Sequence, residues 1–443
     1  EIENIASDGK AVGRHGALVV FVERAVPGDI AHLKIVKKKS NYAEAKIIEL
    51  ITPSPLRTTP FCTHFGICGG CKWQNLEYED QLKFKRQQVI DAFERIAKVK
   101  IPEILPIIAS EKTTFYRNKL EFSFSNNRWL KKSEIESGKE LNKNGLGFHM
   151  PGKYDRIIDI EKCHLQADPS NKIRDAVRQF AIKNDYTFFD LVKKHGLLRN
   201  LIIRNTNLGE VMVILQFFED DKENIFDLLD YLLSEFKEIT SLYYIINPKP
   251  NDSYFDLDPV LYHGQPYIEE KMDELIFRIG PKSFFQTNSH QALNLYKLTR
   301  EQCELSGQEN VLDLYTGTGT IANFLAPLAK KVTGVESITE AIEDAKKNSI
   351  ANNIYNTSFF AADVKDFMKK YHEKPDVVVT DPPRAGMHPD VSNGLLELLP
   401  EKIVYVSCNP ATQARDVGIL SEKYRVSWVQ PVDMFPHTHH VEN

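Results

Sequence analysis

A change of grammar near residue 276 constrains this chain most. From there, apolar runs of strand length at 310–315, 331–336, 358–363, 376–381 and 403–407 alternate with helical patterns such as 340–352 and 391–399. Strands separated by single helices predict a doubly wound α/β domain, Rossmann-like, with a largely parallel sheet. Sheets of that kind bind ligands at the carboxyl ends of their strands.

The rest of the chain reads differently. At 443 residues it is too long for one core, so two or three domains are expected. Residues 1–55 alternate short β-rich runs with turn signals such as Pro27-Gly28-Asp29. That pattern fits a small OB-like β-barrel, a common nucleic-acid module, or a plain β-appendage. Thr52-Pro53-Ser54-Pro55 reads as a linker. Residues 56–275 predict a mixed α+β central domain, and 276–443 the α/β domain. A helix over 78–97 carries Lys83, Lys85, Arg86 and Arg95, and the stretch from Phe115 to Trp129 interleaves rings and cations. Such a stretch can stack bases and hold phosphates, or be a strand with a buried aromatic face.

The net charge of −5 hides an asymmetry: residues 1–160 carry 26 Lys+Arg against 20 Asp+Glu, and the remainder 30 against 41. A basic front and an acidic back fit an N-terminal part that meets phosphates. No apolar run approaches the roughly 18 residues of a membrane span. With no secretory signal evident, the expectation is a cytoplasmic protein without a membrane partner.

Val311-Leu312-Asp313-Leu314-Tyr315-Thr316-Gly317-Thr318-Gly319-Thr320 places an apolar strand before a Gly-x-Gly turn and a helix. Glycines let a ligand lie against bare backbone, as dinucleotide sites do. A third glycine of the dinucleotide pattern is missing, since Ala322 stands there. Glu336, ending the next strand, is placed to accept both ribose hydroxyls of an adenosine, and Asp363 could reach the adenine edge. Either acid could instead cap a helix. The combination predicts a site for S-adenosylmethionine rather than for a nicotinamide cofactor.

Asp381-Pro382-Pro383-Arg384 ends the following strand, with an arginine where enzymes that methylate exocyclic amines put an aromatic clamp. Then Ser407-Cys408-Asn409-Pro410 sets a thiol at a strand's lip. A lone cysteine is usually a core residue, but this one faces the expected cofactor. Carbon 5 of uracil attacks a sulfonium methyl only after a nucleophile adds to carbon 6, and a thiolate is suited to that. The thiol then needs a depressed pKa or a base nearby, and the carbon 5 proton must be removed afterwards. The tail offers Glu442, with His437, His439 and His440 as rival bases.

These motifs resemble the RNA 5-methyluridine methyltransferases over essentially the whole chain, and most closely the branch that modifies 23S ribosomal RNA. The resemblance implies that Cys408 of Ser-Cys-Asn-Pro is the nucleophile and Glu442 of Phe-Pro-His-Thr-His-His-Val-Glu the base. It implies that Gln286, in Phe284-Phe285-Gln286, contacts S-adenosylmethionine with Tyr315, Glu336 and Asp381. Cys62, Cys68, Cys71 and Cys163 would suit zinc or an iron–sulfur cluster on donor chemistry alone; the resemblance implies a 4Fe-4S cluster. It also makes the barrel a TRAM domain, the partner 23S ribosomal RNA and the enzyme a monomer. Transfer RNA is the rival substrate, disfavoured because its enzymes typically lack barrel and cluster. An RNA-binding assembly factor with a vestigial methyltransferase fold and a redox enzyme using the cluster are the rival classes. Thr316 and Thr320 depart from the family pattern, and Glu442, one residue before Asn443, is expected either to be weakly anchored or to be followed by more chain in the native protein.

Overall fold

The computed structural model describes residues 1–443. It resolves into two compact units, one of Glu1–Thr63, Cys71–Thr113 and His290–Asn443, the other of His64–Gly70 and Thr114–Ser289. The expected fold class holds: an N-terminal all-β module, a Rossmann-like α/β sheet and a mixed α+β region are all present.

In the first unit, strands Ile2–Ile5, Ala11–His15, Leu18–Val22, Ile30–Lys38 and Tyr42–Thr52 form one sheet in the order first, second, third, fifth, fourth. The third and fifth run parallel and the other pairs antiparallel. Period-2 alternation turns Ile2, Ala11, Val20, Val22 and Ala45 to a common core. The sheet curls toward closure where Ile2 and the 28–29 turn exchange backbone bonds, Ile2 N to Asp29 O at 2.9 Å and Gly28 N to Ile2 O at 2.8 Å.

Residues 52–55 are not the free linker their composition suggested. Ser54 is buried; its Oγ donates to Pro27 O at 2.6 Å and its N–H to Asp29 Oδ1 at 3.0 Å. Asp29, fully buried, also accepts from Val26 N at 2.7 Å and takes a two-pronged bond from Arg57 at 2.7 and 2.6 Å. Proline's missing donor hides this, because the chain is held by the Ser54 side chain and by an acid 25 residues earlier.

The same unit holds a fully parallel five-stranded sheet in the order Thr357–Ala361, Lys331–Glu336, Asn310–Leu314, Val377–Thr380, Lys402–Tyr405. The chain builds outward from Asn310–Leu314 on one side, then returns to build the other. The gap between Asn310–Leu314 and Val377–Thr380 is therefore the switch point at which such sheets take ligands. Leu312, Leu314, Val335 and Val378 are fully buried beneath helices that include Pro389–Leu398 and Pro410–Leu420.

The second unit is built on a seven-stranded mixed sheet ordered Val260–Gly264, Ile239–Ile246, Val211–Phe217, Leu198–Asn205, Lys119–Ser125, Gly145–Met150, Lys153–Asp159. Val211–Phe217 is buried throughout, so its apolar run is continuous rather than alternating. Phe122 and Phe124 are also fully buried, which decides for the aromatic-face reading of that strand. No helix is long and apolar enough to cross a membrane.

Burial works to raise the pKa of Asp29, but the bonds from Arg57, Ser54 and Val26 hold it below its ordinary value. Its stabilising contribution is thus complete at neutral pH and disappears as pH falls through the depressed folded-state value. Asp29→Asn should cost about 3 kcal/mol at pH 7, the order expected when one partner of a buried pair is removed. The difference from wild type should shrink toward pH 3, as urea melts at the two pH values would show.

Candidate active site

The Asn310–Leu314 strand delivers its turn through left-handed backbone. Tyr315 (φ 64°), Gly317 (φ 55°) and Gly319 (φ 74°) all lie at positive φ, and Gly319 caps helix Thr320–Leu325. A Cβ on Gly319 would stand 2.8 Å from that of Ala345, so packing and φ both demand glycine there. A Cβ on Gly317 would meet no protein atom within 4 Å. Only its φ restricts that position, and the bare backbone is open to a ligand. Asp313 beneath the turn is fully buried, accepts from Thr316 Oγ1 at 2.5 Å, and is pushed up to about 7 by burial.

Glu336 ends the neighbouring strand and spans the turn. Its Oε2 accepts from Gly317 N at 3.3 Å, while Oε1 accepts from the N–H groups of Ser337 and Ile338 at 2.7 and 3.1 Å. Asp363 caps helix Val364–Met368, accepting from Asp366 N at 3.2 Å, so the capping reading holds for it. Tyr315 is driven up to about 12, first by burial and then by Asp363, Asp416 and Glu336. Open glycine backbone, a carboxylate at the ribose position and a partly buried ring fit the S-adenosylmethionine expectation.

Across the switch point Asp381 follows Val377–Thr380, and Cys408 stands just past Lys402–Tyr405. Asn409 caps helix Pro410–Leu420 and its Nδ2 donates to Arg384 O at 2.9 Å, so the cysteine loop and the Asp-Pro-Pro-Arg loop are tied. The tail closes on the same place. Ser407 and Asn443 exchange N–H···O bonds at 2.9 Å in both directions, and Val432 and Glu442 do so at 2.8 and 3.1 Å. Glu442 is 4% exposed. The expectation that it would be weakly anchored is overturned, because bonds on both sides hold it.

The electrostatics bind these groups into one cluster. Burial pushes the Cys408 thiol up to about 11, with Glu442 and then Asp381 adding to the shift and Arg384 opposing it. Burial raises Glu442 well above the carboxylate range, Asp381 adds to this, and Arg384 again opposes. Burial takes Asp381 to about 7. Of the two ways to activate the thiol, a depressed pKa is absent and nearby bases are present. The rival histidines go the other way: burial lowers His437 and His439 to about 4 and His440 to about 3. Imidazoles that weakly basic are poorer proton acceptors than the carboxylates beside the thiol.

The scaffold of the tail was not legible in advance. Lys85, one of the basic residues of the expected helix, is fully buried in Tyr78–Ala92 and pairs with Asp433 at 2.5 Å. It also donates to Phe435 O at 3.0 Å, and Tyr78 Oη donates to Asp433 Oδ2 at 2.8 Å. Arg86 donates to the Ile104 and Leu105 carbonyls, so neither cation is free for phosphate. Gln81 grips the His437 backbone N–H at 2.9 Å. Gly9 of the barrel lies so close to His439 that a Cβ there would be 2.8 Å from the histidine's own, and Trp73 Nε1 donates to Gly9 O at 3.0 Å.

Gln286 lies in the second unit, where its carbonyl accepts from Asn118 Nδ2 at 2.9 Å. Of the four clustered cysteines, Cys62 and Cys71 fall in the first unit and Cys68 and Cys163 in the second. None of the four is in a disulfide, and no three His, Cys, Asp or Glu side chains converge as metal ligands would. Locally, Cys68 Sγ is engaged in a tight turn, accepting from Gly70 N at 3.4 Å.

A parallel sheet with an open glycine turn and an acid–thiol cluster at its switch point defines a class, the S-adenosylmethionine-dependent methyltransferases. Comparison with known proteins narrows it. Residues 261–443 match the family described as tRNA (Uracil-5-)-methyltransferase, and residues 1–48 match the TRAM domain. An uncharacterized RNA methyltransferase of Bacteroides thetaiotaomicron is 53% identical over 447 residues, covering 99% of this chain and 98% of the relative. One from Chlorobaculum tepidum is 39% identical, covering 98% and 92%. The solved structure of Pyrococcus abyssi tRNA (uracil-54, C5)-methyltransferase in complex with S-adenosyl-L-homocysteine is similar at a TM-score of 0.75 and 31% identity, covering 100% of this chain and 97% of that one. The chain belongs to the RNA (uracil-5-)-methyltransferase family, with an N-terminal TRAM domain.

Asp381 gives a pH test of the cluster. Its folded-state value lies above the ordinary 3.8, at about 7, so the folded chain holds more protons between the two. The linked stability is fully present below about pH 4 and is lost as pH rises through about 7. Asp381→Asn should therefore resist urea better than wild type at pH 8, with the gain vanishing at pH 4.

Proposed function

We propose that the chain methylates carbon 5 of a uridine in 23S ribosomal RNA, with Cys408 as nucleophile and Glu442 as the base that completes the cycle. The observation that carries this is the tail's hydrogen bonding to Ser407 and Val432, which holds a buried Glu442 next to the Cys408 strand end, where its charge and that of Asp381 act on the thiol. S-adenosylmethionine supplies the electrophilic methyl group when bound, with Gln286, Tyr315, Glu336 and Asp381 assigned to hold it. The target uridine is flipped out of the RNA into the cluster, since carbon 6 is out of a thiol's reach inside a stack.

The proton of the Cys408 thiol passes to a neighbouring carboxylate as sulfur bonds carbon 6, and the ring becomes an enolate. Carbon 5 takes the methyl group. Glu442 then removes the carbon 5 proton, and the electron pair left behind expels the thiolate as the carbon–sulfur bond breaks. A buried carboxylate of raised pKa suits that removal, because its basicity exceeds that of an exposed glutamate.

Transfer RNA is a second reading with its own support. The similar Pyrococcus abyssi protein is named for transfer RNA and is matched along this whole chain, barrel region included. The barrel therefore does not separate the two substrates. The division into a barrel at 1–55, a central domain at 56–275 and a methyltransferase domain at 276–443 belongs to the proposal, as does action as a cytoplasmic monomer. So does the 4Fe-4S cluster on Cys62, Cys68, Cys71 and Cys163, supported by the donor chemistry of four cysteines, none of them in a disulfide. No step above passes through it, and iron and sulfide analysis of anaerobically purified protein tests it.

Cys408→Ala should lower methyl transfer by at least about a thousandfold while leaving S-adenosylmethionine binding intact; retained turnover would sink the covalent route. Glu442→Gln should let a protein–RNA adduct accumulate, visible as a band resistant to denaturation. Mapping 5-methyluridine in a deletion strain should show one or more sites missing from 23S ribosomal RNA. Loss confined to transfer RNA would decide for the second reading.

A further inference from the structure

The second unit contains a cavity of about 780 Å³ that the methyl-transfer reading does not use. Its size lies in the range of small-ligand pockets, about 300–1,000 Å³. Part of its wall is Arg174, on helix Ser170–Lys183, and that residue is anomalous. Only 1% of it is exposed, yet no carboxylate pairs with it. Its Nη2 donates to Glu161 O at 2.7 Å, while Nε and Nη1 have no partner. A buried guanidinium left in that state is costly, and groups of this kind mark sites where a negative ligand completes the set.

The other charges support an anion. Most of the carboxylates lining the cavity are already engaged: Glu134 with Arg128 at 2.7 Å, Asp159 with Arg178 at 2.5 Å, Glu161 with Lys131 at 3.6 Å and Asp168 with Lys172 at 3.8 Å. The remaining acid, Asp175, is exposed. Arg174 and Lys162 make no ion pair, although Asp175 and Asp159 act on Arg174 at longer range and the Phe122 ring lies 5.9 Å from it. His64 has its Nε2 occupied by Glu161 N at 3.0 Å. The half-buried indole of Trp129 completes the lining with a ring surface. Cations beside one aromatic face are the chemistry that recognises a nucleotide, phosphodiester on the charge and base on the ring.

We propose that this cavity holds one nucleotide of the substrate RNA other than the uridine that reacts, with its phosphodiester at Arg174 and Lys162 and its base against Trp129. The site would then select the RNA around the target without touching the reacting atoms. The inference rests on the chain acting on RNA and is independent of which RNA that is.

The test uses the full-length enzyme with unmodified 23S ribosomal RNA and transfer RNA transcripts, scoring RNA affinity and KM separately from kcat. Trp129→Ala and Arg174→Gln should each weaken RNA binding about tenfold and raise KM in step. The kcat at saturating RNA and the affinity for S-adenosylmethionine should stay at wild-type values. Arg174→Lys should recover part of the loss. Lys162→Ala should reduce the slope of log Kd against log salt by about one, the signature of a lost phosphate contact.

Trp129 and Lys162 are not core residues, so those variants keep the test usable should the Arg174 change disturb folding. RNA affinity within twofold of wild type in both would overturn the proposal. So would an Arg174→Gln protein whose metal content or melting temperature falls while RNA binding holds, because the guanidinium would then serve Cys163 or the core. Inorganic phosphate competing with RNA on the wild type and not on Arg174→Gln would support the phosphate contact. Phosphate bound at Arg174 without displacing RNA would mark a free-anion site and overturn it. Wild-type protein that binds both transcripts and methylates neither would refute the proposed function and leave this site to be judged on affinity alone.

Discussion

Two pairs of backbone hydrogen bonds, Ser407 with Asn443 and Val432 with Glu442, set the chemistry of this molecule. They fix a carboxylate from the end of the chain beside a thiol more than thirty residues earlier, in a place with little water. Everything distinctive about the site follows from that crowding. Burial raises the thiol and both acids, and the exposed Arg384 opposes the shift at the thiol and at Glu442. With its pKa pushed up, the Cys408 thiol keeps its proton at neutral pH, and it is activated when a substrate ring enters and a carboxylate takes that proton.

Holding a tail in that geometry requires a frame, and the frame is buried charge. The Lys85–Asp433 pair, with Tyr78 on the other carboxylate oxygen, pins the start of the tail to helix Tyr78–Ala92. Gln81 pins the turn at His437, and the barrel's Gly9 packs on His439. Pairing of this kind adds less to stability than to specificity of arrangement, since the ions must be desolvated to form it. In this chain the arrangement is what delivers Glu442, so helix and barrel both take part in positioning the base.

How much of this was legible in the sequence divides along physical lines. The parallel sheet, the glycine turn and the strand-end residues Tyr315, Glu336, Asp381 and Cys408 were readable, because hydrophobic periodicity and turn chemistry are local. Lys85 was not, because a helical lysine looks the same whether it faces water or an aspartate 348 residues away. Ser54 and Asp29 were missed for the same reason, and so was the anchoring of Glu442, which depends on residues 407 and 432. The thiol's raised pKa was equally invisible, because it is the sum of burial and two acids from distant segments.

The covalent role of Cys408 is the claim on which the rest turns, and RNA carrying 5-fluorouridine tests it most directly. Fluorine at carbon 5 cannot leave as a proton does, so the cycle should stop after methyl transfer with the ring still bonded to sulfur. Incubation with S-adenosylmethionine followed by proteolysis and mass spectrometry should find a methylated fluorouridine nucleotide on the peptide containing Cys408, and none in Cys408→Ala. Attachment to another residue, or methylation with no adduct at all, would contradict the account.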